Sequence, residues 1–83
     1  MQLLYFGWVR TQIGVSSENL EPPPEVSDVY ALIEWLKQRS DLYQHALNDL
    51  SSVRVAVNQE VADFSMSISP DDEVALFPPM TGG

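Results

Sequence analysis

Residues 27–39 read SDVYALIEWLKQR, and the placing of their apolar side chains decides the fold. Val29, Leu32, Ile33 and Leu36 recur at the i, i+3, i+4, i+7 spacing that puts them on one face of an amphipathic helix. Ser27 stands where an N-cap is expected, Asp28 falls in the first turn, and Lys37 and Arg39 fall in the last, where cations complement the helix dipole. A helix with a single apolar stripe needs a sheet or another helix to cover it, and the flanking segments must supply that cover.

On the C-terminal side, DLYQHALNDL (residues 41–50) suggests a second, shorter helix capped by Ser40, with Leu42, Ala46 and Leu50 spaced by four. Val53, Val55 and Val57 then alternate with Arg54 and Ala56, the period of a half-buried strand. Asn58 and Gln59 supply a turn, and Val61 begins a short return strand. Ser69–Glu73 reads as a loop turning at Pro70, Val74–Phe77 as a last strand, and Pro78 and Pro79 as its stop. On the N-terminal side, LLYFGWV (residues 3–9) is apolar on both alternating faces, as expected of an interior strand covered on each side. Gly14, SSEN and the EPPPE run around Pro22–Pro24 leave room for at most a short edge strand between residues 11 and 26. The order strand, strand, helix, strands predicts an α+β domain, a mixed sheet of four to five strands packed on one main helix.

With 83 residues the chain is one domain that buries only roughly 60–65% of its unfolded surface. It has no cysteine, so neither a disulfide framework nor a thiolate zinc site supplements a small core, and a reducing compartment fits. The apolar start lacks the basic residues and cleavage site of a signal peptide, and no stretch approaches the roughly 18 apolar residues of a membrane span. These features point to a cytoplasmic protein. A net charge of −8 opposes phosphate backbones and disfavours nucleic acid as a partner.

Catalytic chemistry is scarce. His45 is the only histidine and reads as a solvated side chain. Asp71, Asp72 and Glu73 lack the alternating spacing of a calcium loop, the serines lack a G-x-S-x-G setting, and the glycines at 7, 14, 82 and 83 form no phosphate-binding loop. No metal site is expected. Tyr5, Phe6, Trp8, Trp35, Phe64 and Phe77 read mostly as core.

The sequence ends LFPPMTGG, and its last ten residues carry no charged side chain. Pro78 and Pro79 hold the backbone extended, so that Pro78, Pro79, Met80, Thr81, Gly82 and Gly83 can reach about 20 Å from a body formed by residues 1–77. An arm without charges avoids the several kcal/mol needed to desolvate each one inside another protein, and a tip without Cβ atoms fits a narrow channel. Its carboxylate is inert until a partner adenylates it with ATP, after which sulfur can replace oxygen to give a thiocarboxylate.

LLYFGWVR (3–10), VAVNQE (55–60) and DDEVALFPPMTGG (71–83) together resemble the small subunits of molybdopterin synthase, the MoaD-type sulfur carriers among the ubiquitin-like β-grasp proteins. The di-glycine alone is shared with ubiquitin and the thiamine sulfur carrier. The resemblance implies a β-grasp sheet with Leu3–Val9 central, a thiocarboxylate on Gly83, and passage of Gly82 through a partner's tunnel. It implies two protein partners: a MoeB-type adenylyltransferase related to ubiquitin-activating enzymes, and the MoaE-type large subunit, with which family members form heterotetramers. Two sulfur transfers to a cyclic pyranopterin precursor then build the dithiolene of molybdopterin. No cofactor is bound by the carrier itself. Phe6, Val61 and Phe77 match an apolar docking surface, though each also reads as core, and Arg10 matches a basic position that pairs with acidic partner residues. Pro22–Pro24, Thr11 and Met80 depart from the family pattern. A carrier for thiamine or tRNA thiolation, and a ubiquitin-like binding module without a reactive tail, are the alternative readings.

Overall fold

The computed structural model describes residues 1–79. Five strands form one sheet: β1 (Gln2–Tyr5), β2 (Ser17–Asn19), β3 (Arg54–Val57), β4 (Glu60–Ala62) and β5 (Glu73–Phe77), in the order β2-β1-β5-β3-β4. β1 and β5 run parallel, with Leu3 opposite Val74 and Tyr5 opposite Leu76; the other pairs are antiparallel. Three α-helices, α1 (Gly7–Ile13), α2 (Val29–Lys37) and α3 (Asp41–Leu47), complete the α+β domain.

Alternation along the strands separates the two faces of the sheet. Leu3 and Tyr5 on β1, Val55 and Val57 on β3, and Val74 and Leu76 on β5 are buried against Val9 and Ile13 of α1, Val29, Leu32, Ile33 and Leu36 of α2, and Tyr43, Ala46 and Leu47 of α3. The predicted stripe of α2 is thus the centre of the core, each of its four residues at most 1% exposed.

The cap of α2 differs by one residue from the expected Ser27. Asp28 is the N-cap, its Oδ1 accepting from the Ala31 N–H at 2.8 Å. Ser27 is occupied otherwise: its carbonyl accepts from Ile68, and Asp28 and Ser67 form a β-bridge. The N–H groups of Val29 and Tyr30 donate to the carbonyls of Met66 and Phe64, so the loop after β4 satisfies two donors that every helix start leaves unpaired.

Three further expectations are corrected. Leu3–Val9 is not one strand: β1 ends at Tyr5, and Gly7 at φ +58° turns the chain into α1, whose Val9 and Ile13, one helical turn apart, face the core. Among the described residues α1 thus joins the expected main helix α2 and its shorter companion α3. Ser40 holds the N-cap position of α3 but its side chain makes no capping bond; the buried residues of α3 are Tyr43, Ala46 and Leu47, whereas Leu42 is 56% exposed and Leu50 lies in a following 3-10 turn. Of the six aromatic residues expected mostly in the core, Tyr5 is fully buried and Trp35 and Phe64 pack partly buried against the core, but Phe6 is 48% and Trp8 36% exposed.

The Asn58–Gln59 turn joins β3 to β4 as expected, with both residues at positive φ, 51° and 70°, the geometry that matches strand twist in a two-residue hairpin. Asn58 repays its strain through the start of β5: its N–H donates to the Glu73 carbonyl at 2.7 Å, and its Oδ1 accepts from the Glu73 N–H at 3.0 Å. Gln59 makes no comparable bond among the described residues. Gln59→Gly is therefore expected to stabilise the fold by about 0.5–1 kcal/mol, read as a higher urea midpoint with an unchanged slope, because a left-handed side-chain residue is strained where glycine is not.

Candidate docking face and tail root

β5 is the middle strand of five, so its C-terminal end emerges between β1 and β3. The parallel ladder continues one step beyond β1, the Phe6 N–H donating to the Leu76 carbonyl at 3.1 Å. Pro78 then packs on the backbone of Gly7: a Cβ added there lies 2.7 Å from Pro78 Cγ and 2.9 Å from its Cδ. Only glycine satisfies both the turn and this close approach. Pro78 and Pro79 are half-buried, so the exit direction of the chain is set by the domain.

The outward face of the sheet is apolar where a solvated face would be polar. In register across four strands lie Leu4, Ala75, Ala56 and Val61, and in the adjoining row Phe77 stands opposite Arg54. Val61 is 79% exposed, and Phe6, outward on the extension of β1, adjoins Phe77. The structure thus brings Phe6, Val61 and Phe77 to one open face around the tail root, and it decides between their two readings: they are surface, not core. Arg10 does not share this face. It lies on α1, one turn from Gly7, on whose backbone Pro78 packs. Sequence reading missed Leu4, Ala56, Ala75 and Arg54; strand alternation marks them as outward once the register is known. Met80, Thr81, Gly82 and Gly83 lie outside the described residues.

A second polar cluster ties the edge strand to the helices. Glu18 on β2 accepts from the Tyr5 hydroxyl at 2.8 Å and the Tyr43 hydroxyl at 2.5 Å, and Arg39 approaches its other oxygen at 3.9 Å while lying over the rings of Trp35 and Tyr43. Burial, and then the hydrogen bond to the Glu18 carboxylate, push both phenols above the ordinary tyrosine value of 10.0. The cluster is a lock between elements that are distant in sequence. Elsewhere His45 is exposed in a shallow groove with Gln12, Asp41 and Leu42. Among the described residues no group of three or more His, Cys, Asp or Glu side chains could hold a metal ion, and no helix is long and apolar enough to cross a membrane.

A mixed five-stranded sheet with helices on one face and an apolar opposite face defines a ubiquitin-like β-grasp domain. The chain belongs to the ThiS family, matching it over residues 3–83. It is 35% identical over 83 residues to the molybdopterin synthase sulfur carrier subunit of Escherichia coli, covering 100% of this chain and 99% of that protein. Its fold is similar to that of small archaeal modifier protein 1 of Haloferax volcanii, with TM-score 0.64, 21% identity and coverage of 96% and 97% of the two chains. It is also similar to a chain in the complex of subunits 1 and 2 of the molybdopterin-converting factor of Helicobacter pylori, with TM-score 0.64, 18% identity and coverage of 99% and 96%.

Two outcomes follow from this geometry. Gly7→Ala is expected to lose about 1–3 kcal/mol in chemical denaturation and to shift the NMR resonances of Pro78 and Phe77 more than those of α3, since it combines backbone strain with a clash at the tail root. Because the raised phenols stay protonated in the folded state while unfolded tyrosines ionise near pH 10, their contribution is complete below pH 10 and is lost as pH rises above it. Stability should fall there with a slope approaching about 1.4 kcal/mol per pH unit from Tyr5, with a smaller part from Tyr43, and Tyr5→Phe should flatten that alkaline slope while lowering stability at neutral pH.

Proposed function

We propose that this chain is the sulfur-carrier small subunit of a molybdopterin synthase, with residues 1–77 as the docking domain and residues 78–83 as the delivery arm. The observation that carries the reading is the apolar sheet face around the root of the tail, in a chain whose full length aligns with a curated carrier of that name. Burying Phe6, Val61 and Phe77 against the MoaE-type large subunit contributes roughly 25 cal/mol for each Å² of apolar surface removed from water and aims the arm into the partner.

The chemistry resides on the Gly83 carboxylate. A MoeB-type adenylyltransferase joins it to the adenylyl group of ATP with release of pyrophosphate, and a sulfur nucleophile at the sulfide oxidation level then attacks the acyl carbon and displaces AMP, leaving a thiocarboxylate. Within the large subunit that sulfur passes to a cyclic pyranopterin precursor and the carboxylate is regenerated, so two loaded carriers complete one dithiolene. This chain supplies the carrier atom, the reach and the orientation; activation and acceptor binding belong to its partners. Carrier and large subunit assemble as a heterotetramer in the cytoplasm.

Deleting Gly83 should abolish sulfur transfer in a reconstituted synthase while the circular dichroism spectrum and urea midpoint stay unchanged. Intact-mass measurement on protein made with its native partners should show a species with one oxygen exchanged for sulfur. Transfer by the shortened chain overturns the reading. Loading followed by delivery only to a thiamine precursor or tRNA assigns the carrier to another pathway, and unaltered cellular function with a blocked carboxylate reduces it to a binding module.

A further inference from the structure

The chain carries twelve acidic residues and four basic ones, so any lysine or arginine has carboxylates available. Lys37 uses one, pairing with Glu34 at 3.3 Å, and Arg39 another, approaching Glu18 at 3.9 Å. Among the described residues Arg10 and Arg54 form no ion pair. Both are exposed. Arg54 is in direct register with Phe77 on β3, beside the end of β5; Arg10 lies on α1, one turn from Gly7, on whose backbone Pro78 packs. Two cations without an ion pair among the described residues therefore stand on the two elements, β3 and α1, that adjoin the root of the tail.

The Arg54 head is also held in place. Its Nη1 donates to the carbonyls of Ser51 at 3.2 Å and Val53 at 3.0 Å, which uses one nitrogen of the guanidinium fork and leaves the others for an incoming acceptor. A long side chain ordered before association loses less entropy on binding than a mobile one, and a planar fork at a rim suits a carboxylate. The outward row that Arg54 shares with Phe77 continues into the apolar face, so a partner covering that face must meet the guanidinium at its border.

We propose that Arg54 is a specificity-determining contact of the docking face, pairing with a carboxylate on the rim of the large subunit's receiving opening and so fixing the rotation of the carrier about its tail. The inference rests on the functional reading above. It adds to it a partner of stated chemistry: an apolar seat with an acidic group at the border where Arg54 meets it. The rest of the carrier, being acidic, is repelled by such a rim, so approach with the tail leading is favoured and the reverse orientation is disfavoured.

The test measures association and dissociation rates of the full-length carrier with its cognate large subunit for wild type, Arg54→Glu, Arg54→Lys and Lys37→Glu. The last makes the same change in net charge at a distant helix. Arg54→Glu should weaken affinity about tenfold or more at ~0.1 M salt, chiefly through slower association, and the gap should narrow at ~0.5 M salt as charges are screened. Arg54→Lys should fall between wild type and the reversal, Lys37→Glu should stay within about twofold, and urea midpoints should be unchanged. Equal weakening by Arg54→Glu and Lys37→Glu, or no more than about a twofold change for Arg54→Glu, overturns the inference while leaving the carrier reading intact. Wild type failing to bind the large subunit removes both.

Discussion

Parallel pairing of β1 with β5, one from each end of the chain, is the constraint on which the molecule depends. It closes the domain, placing Leu3 against Val74 and Tyr5 against Leu76 in the core, and makes β5 the middle strand. Because β5 is central and runs directly into Pro78, the chain leaves the domain from the interior of the sheet. Gly7 completes the arrangement, since its missing Cβ lets Pro78 lie on the turn between β1 and α1. A tail rooted this way has a direction, whereas one leaving from an edge strand has only a length.

The sheet is used on two sides for different purposes. One face holds the core and is sealed by helices; on the other Val61 is exposed and Leu4, Ala56, Ala75 and Phe77 are half-buried. Leaving apolar groups exposed contributes nothing to the stability of the isolated chain and raises its tendency to associate. The acidic surface offsets that tendency, keeping like molecules apart.

Glu18 shows how a small core is held without disulfides. One carboxylate on the short edge strand β2 gathers the hydroxyls of Tyr5 and Tyr43 and the guanidinium of Arg39, joining sheet, α2 end and α3. No pattern in the sequence announces this, because Tyr5, Glu18 and the Arg39–Tyr43 pair lie far apart along it and each is unremarkable alone.

The sequence by itself determined what depends on neighbours along the chain: the α2 stripe, the β3 alternation, the Asn58–Gln59 turn and the stop at Pro78. Segment 3–9 reads as one strand by local periodicity, because a short apolar run looks the same in a covered strand and in a strand that turns into a buried helix. Rotation of α3, which buries Tyr43 and Leu47 instead of Leu42 and Leu50, followed from its packing on α1 and α2. Only the tertiary structure decided that Phe6, Val61 and Phe77 are surface and that Arg54 stands opposite Phe77, because strand order and register, not spacing, determine which outward residues meet.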